Sequence, residues 1–151
     1  FCIFILSHGR PDNVKTVNTL KEAGYTGKWY IVIDNEDSTA DEYYKIYGDK
    51  VLMFDKKAES ETFDTYDTVD NRKTIVYARN ACFRLAKEVG VRYFMECDDD
   101  YKAFENRYIE NGKLKIRKLT APDLDYACKS MIEFLKIPRV KTICFAQGGI
   151  S

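Results

Sequence analysis

Arg92-Tyr93-Phe94-Met95-Glu96-Cys97-Asp98-Asp99-Asp100 is the stretch on which the reading of this chain turns. Its first six residues are largely aromatic and apolar and follow a helical pattern closed at Val89-Gly90, so they read as a buried strand. The three aspartates then place three like charges at the strand's carboxyl end, where they repel unless a cation or a set of donors compensates them. The natural compensator is a hard divalent ion with oxygen ligands, Mg²⁺ or Mn²⁺, often shared with a substrate phosphate. A polar turn capping the next element is the plainer alternative, because Asp is a common turn residue.

Working outward, the chain alternates strand and helix patterns. Cys2-Ile3-Phe4-Ile5-Leu6 is a continuous apolar run, as expected of a strand covered on both faces. Ser7-His8-Gly9-Arg10-Pro11-Asp12 turns into a helix carrying Val14, Val17, Leu20 and Ala23, which stops at Gly24. Trp29 to Ile33 is a second strand ending at Asp34. Thr39-Ala40-Asp41-Glu42 has the form of a capping box, predicting a short helix to about Tyr47. Val51 to Phe54 is a third strand, ending at Asp55, and Lys56 to Lys73 reads as a long polar connection. Ile75, Ala78, Cys82, Ala86 and Val89 mark an amphipathic helix ahead of the fourth strand. Lys102 to Leu119 reads as a hairpin turning at Asn111-Gly112. A capped helix over Thr120 to Leu135 and a last strand over Thr142 to Ala146 complete the pattern. This order predicts an α/β fold: an open, mostly parallel sheet built from right-handed crossovers, with a hairpin insertion after the fourth strand.

The 151 residues suffice for one domain with a real core, and 45% apolar with 32% charged residues is ordinary for a globular protein. The formal net charge is zero, so whole-molecule charge does not predict nucleic-acid binding. The distribution is uneven. Residues 34–70 hold 12 acidic and 4 basic side chains, whereas 102–118 hold 6 basic and 2 acidic, which permits a basic contact surface or simply a solvated face. The five cysteines, Cys2, Cys82, Cys97, Cys128 and Cys144, form no C-x-x-C pair, and with a single histidine a zinc site is improbable. Each sits in an apolar pattern, as buried free thiols do, and the odd count favours a reducing, cytoplasmic compartment. No signal peptide or membrane span is visible. The chain starts inside an apolar run and stops at Gly148-Gly149-Ile150-Ser151 without a closing element, so a single domain over 1–151, excised from a longer protein, is expected.

In open parallel sheets ligands bind beyond the carboxyl ends of the strands. Here those ends are Ser7-His8-Gly9-Arg10, Asp34-Asn35, Asp55 and Asp98-Asp99-Asp100. A basic, Gly-containing point beside three carboxylate points suits a nucleotide with a metal. Free N–H groups and Arg10 at the first helix could hold a phosphate, or could be no more than a helix start with Pro near its first position. Asp34 could accept hydrogen bonds from a base or ribose, or close a turn. Arg79 borders the buried stripe and needs an anionic partner, either a strand-end carboxylate or a ligand phosphate. His8 is a candidate phosphate-contacting or catalytic group, although most loop histidines are neither.

With these residues assembled, the Ser7-to-Arg10 loop, Asp34, the Ala78-Arg79-Asn80 helix start and the Asp98-Asp99-Asp100 triplet resemble a nucleotide-sugar-dependent glycosyltransferase of the GT-A type, the triplet being similar to its DxD motif. More narrowly, Phe4 to Pro11, Ile33-Asp34-Asn35-Glu36 and Glu96 to Tyr101 resemble the TET/JBP-associated glycosyltransferases of bacteriophages, which are implicated in attaching sugars to hydroxymethylated pyrimidines in DNA. The resemblance implies a donor-binding half over 1–101 and an incomplete acceptor half over 102–151. It implies a nucleotide-sugar donor, a UDP-sugar first, with Mn²⁺ or Mg²⁺, modified DNA as acceptor and no membrane, in a cytoplasm that is the host's if the chain is viral. Ser7, His8, Arg10, Asp34, Arg79, Asp98 and Asp99 would then bind the donor. Arg10 and Asp34 would meet the base or ribose, and Arg79 the triplet or the diphosphate. Asp98 and Asp100 would hold the metal. A catalytic base is expected beyond Ser151, and Gly148-Gly149 could floor the acceptor side. The residues Tyr101 to Lys118 interleave aromatic and basic side chains that could contact an acceptor strand. Two other classes fit less well. A sugar-phosphate nucleotidyltransferase would need a richer glycine loop after the first strand, and a non-catalytic binding module would share the same fold.

Overall fold

A computed structural model of the chain describes residues 1–64 and 74–146. Four strands, β1 (Cys2–Leu6), β2 (Lys28–Asp34), β3 (Val51–Phe54) and β4 (Phe94–Asp98), form one sheet in the order β3-β2-β1-β4, every pair parallel. All five residues of β1 are buried, because helices cover both faces of the central strand. Alternation along β1 divides the core in two. Ile3 and Ile5 pack with Val17 and Leu20 of α1 (Lys15–Glu22), Tyr43 of α2 (Ala40–Tyr47), and Leu124 and Cys128 of α5 (Asp123–Leu135). Cys2, Phe4 and Leu6 pack against Tyr77, Ala81, Cys82 and Leu85 of α4 (Val76–Glu88). The period-two pattern of a strand thus meets two helical stripes, one on each side. The expected open α/β sheet is present, and the strand order reverses between β1 and β4.

β5 (Glu105–Glu110) and β6 (Lys113–Lys118) form a separate antiparallel ribbon. Asn111 and Gly112 take φ of 51° and 71°, the two positive values that a two-residue hairpin turn demands.

Four local expectations are revised. Residues 56–60, read as the start of a long connection, form α3 (Lys56–Ser60), capped by Asp55, whose side chain accepts from Ala58 N at 2.9 Å. Thr39 does not cap α2 through its side chain. Its Oγ1 and N–H both donate to Asp37 Oδ1, because that carboxylate lies two residues back and accepts both. Thr142 to Ala146 forms no strand: its backbone finds no ladder partner among the described residues, and Phe145 anchors it by packing on Phe104 at 5.3 Å. Cys144, within it, is consequently exposed, while the other four cysteines are buried. Gly148 and Gly149 and the rest of the 56–73 connection beyond residue 64 lie outside the described residues. No helix among the described residues is long and apolar enough to cross a membrane.

Burial pushes the thiols of Cys2 and Cys128 up to about 11 and that of Cys97 to about 12, and raises Cys82 further. Mild alkylation near pH 8 should therefore modify Cys144 alone in the folded protein and all five thiols after denaturation; rapid labelling of two or more native thiols would contradict this packing.

Gly24 ends α1 at φ 77°, and a Cβ there would lie 2.4 Å from the Ala121 Cα, just before α5. Gly90 has a similar φ of 72° with open space around it. Gly90→Ala should cost about 1–2 kcal/mol, the left-handed backbone term alone. Gly24→Ala should cost clearly more, because the α1–α5 approach must also open. Denaturant midpoints of the pair separate the two terms, and equal losses would mean that the close approach is not tight.

Candidate functional site

The carboxyl ends of β1, β2 and β3 and the start of α4 surround a cavity of about 390 Å³. Ser7, His8 and Arg10 enter it from the loop after β1, Asp34 from the end of β2, and Phe54 and Lys56 from the junction of β3 and α3. Thr74, Ile75, Tyr77 and Ala78 close it at the amino end of α4.

Asp34 is the buried anion of this cavity. Its Oδ2 lies 2.9 Å from His8 Nδ1 and 3.4 Å from Lys56 Nζ, and its Oδ1 accepts from Glu36 N at 3.1 Å. The His8 bond fixes that ring by one nitrogen and leaves Nε2 for a ligand. Lys56 is only 12% exposed along its side chain, so its ammonium is held at the cavity wall by its carboxylate partner. Sequence reasoning passed over Lys56. The signal was its position directly after a strand-end residue of a parallel sheet, the same rule that flagged Asp34.

The loop after β1 is set by a second buried carboxylate. Asp37 Oδ2 accepts from Gly9 N at 2.8 Å, while its Oδ1 takes both Thr39 donors. Burial works to raise the Asp37 carboxyl, but the bonds from Thr39 and Gly9 outweigh it and hold the group below the usual carboxylate range. The N–H groups expected to be free for a phosphate are thus engaged: Gly9 N by Asp37, and Arg10 N by the Tyr43 hydroxyl at 3.1 Å. Pro11 opens a 3-10 turn, Pro11–Asn13, and α1 begins only at Lys15.

The three aspartates of the triplet face three different environments. Asp98, the last residue of β4, accepts from Arg79 at 3.0 Å, and the same guanidinium meets Glu96 at 3.1 Å. Burial raises Glu96, with Arg79 opposing it. Arg79 is 39% exposed, so this is a half-buried bridge between α4 and β4, the structural pairing weighed from sequence. Asp99 is 1% exposed. Its Oδ2 accepts from Ser7 Oγ at 2.5 Å and from Arg10 Nε at 2.8 Å, and its Oδ1 has no partner among the described residues. Asp100 is exposed and makes no hydrogen bond or ion pair among the described residues. The backbone of the triplet is clamped by the buried Thr16. Its N–H donates to Asp99 O, its hydroxyl donates to Asp98 O, and its Oγ1 accepts from Tyr101 N. Neither Thr16 nor Tyr43 announced itself in the sequence, since each looks like an ordinary residue on an amphipathic helix.

Ser7 and Arg10 therefore belong to both halves of the site. They line the cavity and hold Asp99, so the cavity and the triplet form one continuous region beyond β1 and β4. Asp55, expected at this rim, is spent on capping α3. Among the described residues the Arg10 side chain is held through Nε alone. Its terminal nitrogens have no partner among the described residues, and the side chain is 53% exposed.

A family model described as TET-Associated Glycosyltransferase matches residues 1–149 of this chain. No curated protein and no solved structure matches.

The Arg10–Asp99 pair is asymmetric in burial, which makes its two deletions unequal. Arg10→Ala leaves a buried carboxylate with only Ser7 and should cost about 3–5 kcal/mol. Asp99→Ala leaves a guanidinium that can turn to water and should cost about 1–3 kcal/mol. Urea midpoints decide the order; the reverse order would mean that Asp99 is not the dependent partner.

Proposed function

The chain belongs to the TET-associated glycosyltransferase family, and from that premise we propose that it transfers a sugar from a UDP-sugar to a hydroxyl on a hydroxymethylpyrimidine in DNA. The observation that carries the donor half is the continuity of the cavity with the triplet through Ser7 and Arg10, at the point where the strand order reverses.

The donor set of the triplet fits a hard divalent cation, Mn²⁺ or Mg²⁺. Asp100 is uncommitted, and Arg79 occupies only Oδ1 of Asp98. No group of three or more His, Cys, Asp or Glu among the described residues is arranged to hold a metal. An ion of this class binds through one or two carboxylates and completes its shell with substrate phosphates and water. Asp98 and Asp100 would hold it, and when bound it supplies neutralising charge for the departing diphosphate.

The chain's own residues account for the rest of donor binding. Asp34 keeps an acceptor site at Oδ1 for a base N–H or a ribose hydroxyl, since that oxygen has one partner and can take two. Lys56 Nζ offers donors to carbonyl or phosphate oxygens, and His8 Nε2, its ring oriented through Nδ1 by Asp34, offers a second polar contact on the same wall. Arg10, oriented by Asp99 through Nε, presents its two terminal nitrogens to an anionic group. Arg79 holds Asp98 in place. In the transfer, the bond from the anomeric carbon to the diphosphate oxygen breaks and a bond to the acceptor oxygen forms. The acceptor proton leaves to a general base. A cytoplasmic setting suits the five free thiols. The family assignment favours this reading over a nucleotidyltransferase or a non-catalytic module.

Calorimetric titration of UDP-glucose with Mn²⁺, with chelator, and on Asp100→Ala tests the donor site. The expected result is binding with the metal that weakens at least tenfold, about 1.4 kcal/mol or more, when either the metal or the carboxylate is removed. A folded protein that takes up no nucleotide sugar, or takes it up equally well under all three conditions, would overturn the reading.

A further inference from the structure

The β5–β6 ribbon is unusual within this molecule. All twelve of its strand residues are exposed, although a two-stranded ribbon buries too little to be stable alone. Among the described residues it is fixed at its root. Leu119 N donates to Phe104 O at 2.8 Å, Phe104 is buried in the core, and Arg117 pairs with Asp123 at 2.8 Å. The root lies four residues past Asp100, so the ribbon springs from the rim that carries the triplet.

Its register gives the two faces distinct chemistry. Asn106 stands opposite Arg117, Tyr108 opposite Lys115, and Glu110 opposite Lys113, and opposed residues share a face. One face therefore carries Lys113, Lys115 and Arg117, the last also paired with Asp123 at the root, with one exposed tyrosine and Glu110. The three cations lie on one strand at every second residue, about 6.8 Å apart. The chain as a whole has zero net charge, so this row is a local concentration and not a reflection of the average.

We infer that this face of the β5–β6 ribbon is a docking surface for duplex DNA. A regular row of cations matches a regularly charged polyanion, and a two-stranded ribbon is an element that the major groove of B-form DNA admits. The deep, narrow major groove of A-form RNA does not admit it, which separates the two nucleic acids. Tyr108, across from Lys115 on the neighbouring strand, adds an apolar face for contact with base or sugar. The inference rests on the reading of DNA as acceptor, and it adds where the duplex is held: beside the triplet, by a projection that leaves the cavity open to the donor.

Fluorescence anisotropy of a labelled duplex of about 30 base pairs, with and without 5-hydroxymethylcytosine, tests it between roughly 50 and 200 mM salt. Wild type is compared with Lys113→Glu/Lys115→Glu, with the milder Lys113→Gln/Lys115→Gln, and with Lys21→Glu on the exposed side of α1 as a charge control. The ribbon variants should bind at least tenfold more weakly, with a salt slope shallower by about 2, while Lys21→Glu stays within about twofold of wild type. Duplex affinity unchanged in both ribbon variants would overturn the inference. So would tighter binding of wild type to single strands or to duplex RNA. UDP-glucose titration of the same variants separates the two readings. Loss of duplex binding in the ribbon variants with donor binding intact supports the ribbon surface, whereas a wild type that binds no duplex yet takes up UDP-glucose removes that surface and leaves the donor site standing. Ribbon-dependent duplex binding without any transfer to the hydroxymethylated duplex removes the acceptor assignment and leaves the docking surface standing.

Discussion

A carboxylate removed from water needs donors in place of the solvent, and Asp99 is the place in this molecule where that requirement organises everything around it. The bonds form a ring. Arg10 N donates to the Tyr43 hydroxyl, Tyr43 donates to Ser7 Oγ, Ser7 donates to Asp99 Oδ2, and Arg10 Nε donates to the same oxygen. The ring starts and ends on one residue, so it fixes Arg10 by both backbone and side chain. It also ties β1, α2 and the end of β4 together at one point. Chains of hydrogen bonds in a low-dielectric interior polarise and strengthen one another.

This arrangement resolves the problem posed by three adjacent carboxylates. Their mutual repulsion is relieved by sending each to a different environment. Asp99 goes inward to Arg10 and Ser7, Asp98 sideways to Arg79, and Asp100 to solvent. The backbone that allows the divergence is pinned by Thr16, whose N–H and hydroxyl serve three residues of the 98–101 stretch. A single residue at the start of α1 therefore controls where the triplet sits, without itself reaching the cavity.

The order of elements and the ends of the strands were legible in the sequence because period-two and period-3.6 patterns are strong in a small α/β domain. Leu6, Asp34, Phe54 and Asp98 close their strands at or within one residue of the positions read from pattern alone. What the sequence concealed depended on partners far away in the chain. Tyr43 and Thr16 look like ordinary helix residues until the fold sets Tyr43 against Ser7, 36 residues away, and Thr16 against Asp98, 82 residues away. Lys56 becomes a cavity residue only once β3 lies beside β2. The α3 helix was missed because five residues are too few for a periodic signal, and only the Asp55 cap marks its start. The failed strand at Thr142 to Ala146 is the opposite case. Its composition suits a strand, but a ladder needs a neighbour, and composition carries no information about one.

The cations of the site share one property that bears on how it can work. Arg10, Arg79 and Lys56 are each paired with a carboxylate, yet none is fully consumed by it: Arg10 is held through Nε, Arg79 divides itself between Glu96 and Asp98, and Lys56 stands 3.4 Å from Asp34. A fully buried and saturated pair would be rigid but inert toward a ligand, whereas a free surface lysine would be reactive but unplaced. Pairing that leaves donors unused gives both placement and capacity. An anionic group entering the site would meet cations whose orientation was largely set during folding, so less of its binding free energy would go into ordering the site.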